Sequence, residues 1–536
     1  MSSEKLKIKN GPRVLTQVQA FFSIDDTGAG LLQTVFIIFY MIVAPLCGFL
    51  GDRYNRKWIM VIGIAIWIIA VMASSFVPAN LFWLFLLLRG VVGIGEASYA
   101  TIAPTIIADI FSMPIRSRAI MFFYFAIPIG SGLGYIVSSN ISSLLGGWQW
   151  GIRVTPFLGV LCIIFIILVM KEPKRGEAES VVSNNIKRTS YWEDIKAICK
   201  IPTYVNATLA YTSVIFATGT LSWWGPAAVE HSIAMRENLN NTGELSSEQK
   251  NSITLSFGII TVVGGILGVS AGTMLSQFWS QGKLCCKPIK TVRSDALVCA
   301  IGSLFAIPFL FIGLHLCSTN ITLAWVFIFL AVVSLCLNWA IIIDMLLDII
   351  VPQRRSIANS WQILISHLFG DASGPYIVGL VSDWIRGSDD TPTACFQSLI
   401  KAFYIPNIIL IISVLLFVGA AISFVHDRNK FLQQIGHYSK YDYSSAKFNG
   451  NEVKIGNVII RVSSFPDDNI FNMFDVSTHI VIFLSFSKYN YFTIYINNQI
   501  LHKVKHLHLI SYSSNIGYLS IKEVIIAQKN MIFIYQ

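Results

Sequence analysis

An all-α polytopic membrane protein is the fold class that this sequence predicts, on three observations. The 536 residues are 54% apolar and only 13% charged. The apolar residues gather into runs of about twenty, the length a helix needs to cross a bilayer core of ~30 Å. The charges fall in short loops between those runs, where a soluble chain of this size would spread them through two or three domains. A net charge of +10 then follows from loop composition and calls for no nucleic-acid partner.

Eleven spans are predicted, over residues 31–50, 58–77, 81–110, 117–145, 151–170, 203–230, 252–276, 294–317, 321–350, 357–385 and 399–424. The loops after the odd-numbered spans carry most of the loop Lys and Arg, so those at 51–57, 171–202 and 277–293 are expected to face the cytosol. Residues 1–30 lack the apolar core of a cleavable signal, and they read as a remnant ahead of an N-terminal bundle of five spans over 31–170. The basic connector KEPKRGEAESVVSNNIKRTSYWEDIKAICK begins a cytosolic linker over 171–202, and a C-terminal bundle of six spans follows over 203–426. Two six-helix bundles fit that division if one helix is missing at the start. Lys5, Lys7, Lys9 and Arg13 point the same way, because an eleven-helix topology puts them on the non-cytosolic side.

Residues 427–536 turn rich in Asn, Tyr, Ile, Lys and Ser and hold no piece long enough to span. They are expected to form a tail of uncertain order, with strand-like alternation in VKIGNVIIRV. Nine cysteines show neither a pairing pattern nor metal-ligand spacing. Cys285–Cys286, among lysines beside the bilayer, is a candidate for S-palmitoylation.

The stretch RGVVGIGEAS places Arg89 and Glu96 inside an apolar run. Seven residues are two helical turns, so both side chains lie on one face about 10 Å apart along the axis. An ionised side chain at the bilayer centre costs roughly 3 kcal/mol of insertion energy. Lining a shared polar cavity is the cheaper arrangement, and it suits Glu96 to load and release a proton; the alternative is a static ion pair that fixes helix packing. His367 and Asp371 are four apart and share a face in the same way, which makes a second acid-sensitive pair. Asp344 and Asp348, close in sequence to Arg354 and Arg355, are expected in an ion cluster at the cytosolic edge.

Two helices read as bendable. FYFAIPIGSGLGYIVSS sets Gly130 and Gly134 at small-xxx-small spacing beside Pro128, and HLFGDASGPYIVGLVSDWIR interrupts the tenth span with Gly370, Gly374, Pro375 and Gly379. Their corresponding positions in the two halves are what internal pseudo-symmetry predicts. GFLGDRYNRK closes the first span. In it Gly48 permits close helix approach, and Asp52 is suited to accept from a neighbouring helix N-terminus or a basic side chain. Arg53, Arg56 and Lys57 are expected to hold the loop at the anionic cytosolic face. This G-x-x-x-D-R-x-x-R-K pattern resembles the signature loop of the major facilitator superfamily, with Asn55 where glycine is usual.

GLLQTVF, GDRYNRK, RGVVGIGEASYATIAPTIIAD, FYFAIPIGSGLGYI, NWAIIIDMLL and SHLFGDASGPYIVGLVSD together resemble the spinster family of that superfamily, over residues 14–427. The resemblance implies two six-helix bundles working by alternating access. It implies a cargo of amphipathic lipid, lysophospholipid or sphingosine-1-phosphate, coupled to protons in some members. It makes Arg89 and Glu96 the fourth-helix pair tied to recognition and coupling, and His367 the eleventh-helix histidine before a Gly-Asp step. It also implies a first helix ending in an Asn-Tyr-x-Asp-Arg-like motif, after which this chain starts at PRVLTQVQAFFSIDD.

The expected function is therefore secondary transport of a lysophospholipid or sphingolipid, with Arg89, Glu96, His367 and Asp371 at the substrate and proton site. Asp52, Arg53, Arg56, Gly130, Gly134, Gly374 and Pro375 serve as gating elements. Scarce Asn, Gln and charge in the spans favour such a cargo over a sugar. The competing expectations are transport of another amphiphile or organic cation, and a truncated isoform that only binds partners. No catalytic residue, metal site or cofactor is expected. The protein is expected to be a monomer in the endolysosomal rather than the plasma membrane.

Overall fold

The computed structural model describes residues 18–435, apart from 180–189, 284–289 and the single positions 20, 25, 146 and 390, together with five strands between 452 and 496. The chain divides into a helical unit that ends at His437 and a second unit from Tyr438 onward.

Helix occupies every expected span. The N-terminal bundle holds α1 (Asp26–Arg53), α2 (Arg56–Ser74) and α3 (Phe82–Ile110). Its fourth passage breaks at Phe125 into α4 (Ile115–Tyr124) and α5 (Ala126–Leu145), and α6 (Trp148–Val169) follows. The connector contains α7 (Tyr191–Cys199). The C-terminal bundle opens with α8 (Pro202–Arg236), α9 (Ser247–Gln281) and α10 (Ser294–Leu316). Next, α11 (Ile321–Cys336) continues into α12 (Asn338–Leu347). The following passage joins α13 (Arg355–Ser366) to α14 (Ser373–Arg386) through a π-helical turn at His367–Asp371. Finally α15 (Pro392–Ala402) runs into α16 (Tyr404–Gln434).

Among the described residues, eight of these passages are long and apolar enough to cross a membrane on length and composition alone. The passages α4/α5, α8 and α13/α14 are not. Buried polar side chains explain two of them: α8 buries Thr203, Thr208, Thr212 and Thr220, and α13 buries Ser356, Asn359, Ser360 and Gln362. A helix satisfies its own backbone in lipid, so polar side chains are tolerated where they face protein.

Local signals set several helix ends. Asn55 caps α2 by accepting from the Trp58 N–H at 3.2 Å, which gives this residue a role in the loop where glycine was the usual choice. Ser246 and Gln249 form a capping box at the start of α9, and Gly282 ends that helix with φ of 67°. Asp427 accepts from the Thr203 N–H at 2.9 Å and so caps α8 from a distant part of the chain. Asp427 and Phe431 are buried on α16, so residues 427–435 belong to the helical unit rather than to a tail. The composition shift misplaced that boundary because it registers loss of apolar runs, not burial.

Among the described residues the second unit holds a five-stranded antiparallel meander, β1 (Glu452–Ile455), β2 (Val458–Ser464), β3 (Ile470–Asp475), β4 (Val481–Phe486) and β5 (Phe492–Ile496), in that spatial order. Val453 lies opposite Ile460 and Phe471 opposite Leu484. The alternating stretch VKIGNVIIRV supplies most of β1 and the start of β2. Lys5, Lys7, Lys9, Arg13 and the Cys285–Cys286 pair lie outside the described residues.

Helix α3 forms the spine of the N-terminal bundle, packed between α1 and α2. Glycine makes this possible at Gly93, where a Cβ would collide with the Phe36 carbonyl oxygen of α1. Gly93→Leu forces α1 off α3. It is expected to cost 1–3 kcal/mol, the usual range of about that size for overpacking, and to lower the monodisperse fraction on fluorescence-detected size exclusion.

Candidate functional site

The bundles meet in a polar seal at the end that carries the basic loops. Asp52, 7% exposed near the end of α1, accepts from the Ser356 and Ile357 N–H groups at 2.9 Å each. Those donors are the first turn of α13, whose own N-cap residue, Arg354, offers no capping side chain. A carboxylate from one bundle thus caps a helix of the other, satisfying orphan donors and meeting the positive end of the helix dipole. Gly48 lets the two helices touch, because a Cβ there would overlap the Ser360 side chain.

Two arginines flank this cap, in three ion pairs. Arg116 of α4 reaches Asp344 at 3.0 Å and Asp348 at 2.6 Å on the opposite bundle. Arg355 of α13 faces Asp109 of α3 at 3.7 Å. The pairing has an internal symmetry: DIFSMPIRSRA (109–119) and DIIVPQRRSIA (348–358) both read D-I-x5-R-S. The aspartate of each copy faces the arginine of the other, with a hydrogen bond at Asp348–Arg116 and a longer charge contact at Asp109–Arg355. Sequence reasoning missed Arg116 and Asp109, and this repeated spacing was the signal that finds them.

Other expectations about this end need correction. Asp344 and Asp348 form an ion cluster, but with Arg116 rather than with their sequence neighbours Arg354 and Arg355. Arg354 turns instead to Asp194 of α7, at 2.8 Å, and Arg355 also donates to the Leu347 and Ile350 carbonyls. Arg56 does not hold the loop against lipid headgroups, being 1% exposed and bound to Asp109 at 2.5 Å and Glu172 at 2.8 Å. Lys57 donates to the Ile167 and Met170 carbonyls at the end of α6, at 2.8 and 2.7 Å. Both cations are consumed by backbone and acidic groups that burial would otherwise leave unpaired. Arg53 lies over the Phe49 ring at 4.0 Å and bonds Asp194 at 2.9 Å.

Beyond the seal, the bundles part around a cavity of 2070 Å³. That is about twice the upper range of small-molecule pockets. It extends to Leu32 and Gln33 near the start of α1 and to Asp383 near the end of α14. Its wall mixes aliphatic, polar and aromatic side chains, with Tyr40, Trp67, Tyr99, Tyr124, Tyr211, Trp224 and Trp339 among the aromatic ones.

Arg89, Glu96, His367 and Asp371 all line this one cavity. The first two come from α3 and the last two from the π turn, so the cavity brings together residues 271 positions apart (367 minus 96). Among the described residues Arg89 and Glu96 make no ion pair, which sets aside the static-pair alternative in this conformation. The Arg89 guanidinium lies 5.0 Å from the centre of the Phe36 ring. Glu96 lies within electrostatic reach of both Arg89 and His367. His367 Nδ1 is 2.9 Å from an Asp371 oxygen, and its ring meets Tyr40 of α1 edge to face at 5.4 Å. The two are joined inside a π turn, a distortion common at functional positions.

The glycine pairs behave differently in the two halves. Gly374 presses on Thr220 and the Phe216 carbonyl of α8, and the Pro375 carbonyl accepts from Trp224 Nε1 at 2.8 Å. Among the described residues, no atom lies within 4 Å of a Cβ added at Gly130, where α5 borders the cavity. The expected tight packing is therefore met at Gly374 and not at Gly130. Gly134 lies in α5, and its surroundings fall outside the described residues.

Comparison with known proteins places this architecture. The family model described as Major Facilitator Superfamily matches residues 14–370. Protein spinster homolog 1 of Mus musculus is 47% identical over 378 residues, 70% of each chain. Its Xenopus laevis counterpart is 42% identical over 419 residues, 78% of each chain. The sphingosine-1-phosphate transporter SPNS2 of Mus musculus is 40% identical over 423 residues, 79% of this chain and 75% of that one. Among solved structures, an inward-facing, unoccupied bacterial homolog of the human lysosomal transporter spinster superposes with a TM-score of 0.53 at 20% identity, covering 78% of this chain and 94% of its own. At that identity the likeness concerns the fold. The family model and the relatives together carry more, and the chain belongs to the spinster family of the Major Facilitator Superfamily.

Proposed function

We propose that this chain moves a lysophospholipid or sphingolipid across a membrane by alternating access. The observation that carries the reading is the Arg89 guanidinium, the one Arg or Lys among the described lining residues, set in the wall of a large cavity with aromatic and aliphatic faces. A phosphate or zwitterionic head meets Arg89 through charge-assisted hydrogen bonds. The acyl chain lies along Tyr and Trp faces, which exclude water without demanding hydrogen bonds. Aliphatic side chains of the same wall, Ile37, Ile38, Met41, Val71 and Val92, add apolar surface that suits an acyl chain. The kinship agrees, since SPNS2 is named for transport of sphingosine-1-phosphate.

We assign the sealed end to the cytosol on the charge of its loops, so the described conformation has its cavity turned away from the cytosol. Glu96 supports coupling to protons: it lies within electrostatic reach of Arg89 and of His367, itself paired with Asp371, so a proton there changes the net charge that the head group meets. We propose the endolysosomal membrane as its compartment, as the resemblance to the spinster family implies.

Uptake of labelled lysophosphatidic acid or lysophosphatidylcholine into proteoliposomes tests this reading. Arg89→Ala is expected to reduce uptake roughly ten- to a hundredfold, the size of one or two charge-assisted hydrogen bonds. Glu96→Gln is expected to keep lipid binding and lose the response to an imposed proton gradient. Equal flux in wild type and Arg89→Ala defeats the assignment, and loss of binding in Glu96→Gln favours an organic-cation cargo instead.

A further inference from the structure

The connector helix α7 takes no part in the cavity, yet it touches both bundles at once. Its fold is locally fixed: Ser190 and Glu193 form a capping box that starts it. Asp194, with a side chain only 4% exposed, commits its two oxygens to different halves of the molecule. Oδ2 takes Arg53 of α1 at 2.9 Å and Oδ1 takes Arg354, at the head of α13, at 2.8 Å. One turn earlier, Tyr191 repeats the arrangement. Its ring meets Phe49 of α1 edge to face at 5.3 Å, and its hydroxyl accepts from Trp361 Nε1 of α13 at 3.1 Å.

The four partners sit beside the cap that Asp52 places on α13. Phe49 and Arg53 are one turn apart on α1, and Arg354 and Trp361 are two turns apart along the α13 segment. Helix α7 therefore lies astride the seam where the bundles separate. Opening this end moves Arg53 away from Arg354, and a single carboxylate cannot follow both. One charge-assisted bond must break, and the buried carboxylate must be rehydrated on that side.

We propose that α7 is a clasp on the seal, with Asp194 and Tyr191 as positioning residues that hold the basic end shut. The clasp stands on the alternating-access reading, and it sets how often that end opens without touching the cargo. Its position in the connector separates control of opening from the chemistry of the cavity.

Hydrogen–deuterium exchange of the full chain in lipid nanodiscs tests this without any transport measurement. Asp194→Asn is expected to speed exchange about tenfold, the weight of one charge-assisted hydrogen bond. The rise must appear together in the first turn of α13 and in the last turn of α1, since opening uncovers both. Lys196→Gln, an exposed change on the same helix, is expected to match wild type at both places. Should Asp194→Asn fail to fold, Arg53→Gln removes the other side of the bond and is expected to give the same paired rise. Wild-type exchange in these variants, or a rise confined to α7, overturns the clasp. Transport of lysophospholipid failing in wild type would instead defeat the cargo assignment and leave this exchange pattern standing.

Discussion

The structure depends on a helix that cannot cap itself. α13 begins at Arg355 with backbone donors aimed at the partner bundle, and its neighbouring side chain gives them nothing to bind. Asp52 supplies the acceptor from across the seam. A buried N–H without a partner costs on the order of 1–3 kcal/mol, and a buried carboxylate without one costs more. Each group therefore needs either the other or water. That choice makes the seal two-state: closed and dry, or open and hydrated.

Rigid helices link this seal to the cavity. α3 carries Arg89 and Glu96 on the cavity wall and Asp109 at the seal, thirteen residues or about 20 Å beyond Glu96. α13 has its capped end at the seal and runs straight into the π turn that presents His367. On the proposed function, a head group or proton that shifts the balance among Arg89, Glu96, His367 and Asp371 acts on α3 and α13, which Arg355 and Asp109 bring face to face and which Asp52 ties to α1 through the first turn of α13. The D-I-x5-R-S repeat gives each bundle an acidic and a basic end facing the other half, and the tighter contact is the one Arg116 makes with Asp344 and Asp348.

Much of this was legible beforehand because membranes make residue patterns costly to violate. Apolar runs gave the passages, and Arg89 and Glu96 stood out as ions where hydrocarbon tolerates none. Asp52 was readable as an acceptor for a helix N-terminus because its loop pairs a close-approach glycine with a lone acid. The partners were harder to read. Arg116 is 228 positions from Asp344, and only the repeated D-I-x5-R-S spacing hints at the link; Arg56 looked like a surface cation until Asp109 and Glu172 enclosed it. Gly130 shows the same limit: small-residue spacing marks where a helix permits approach, and the neighbouring fold decides whether one occurs. The helical end of the C-terminal bundle was misplaced for a similar reason, since Asp427 caps α8 from a stretch whose composition already resembles the tail.

The central claim is that Asp52, bonded across the bundles, holds the basic end closed. Pulsed electron paramagnetic resonance between nitroxides at Tyr54 on one bundle and Lys430 on the other tests it most directly. The wild type should give one narrow, short distance, and Asp52→Asn should move a substantial share of molecules to a longer one. Superimposable distance distributions in the two proteins would contradict the account.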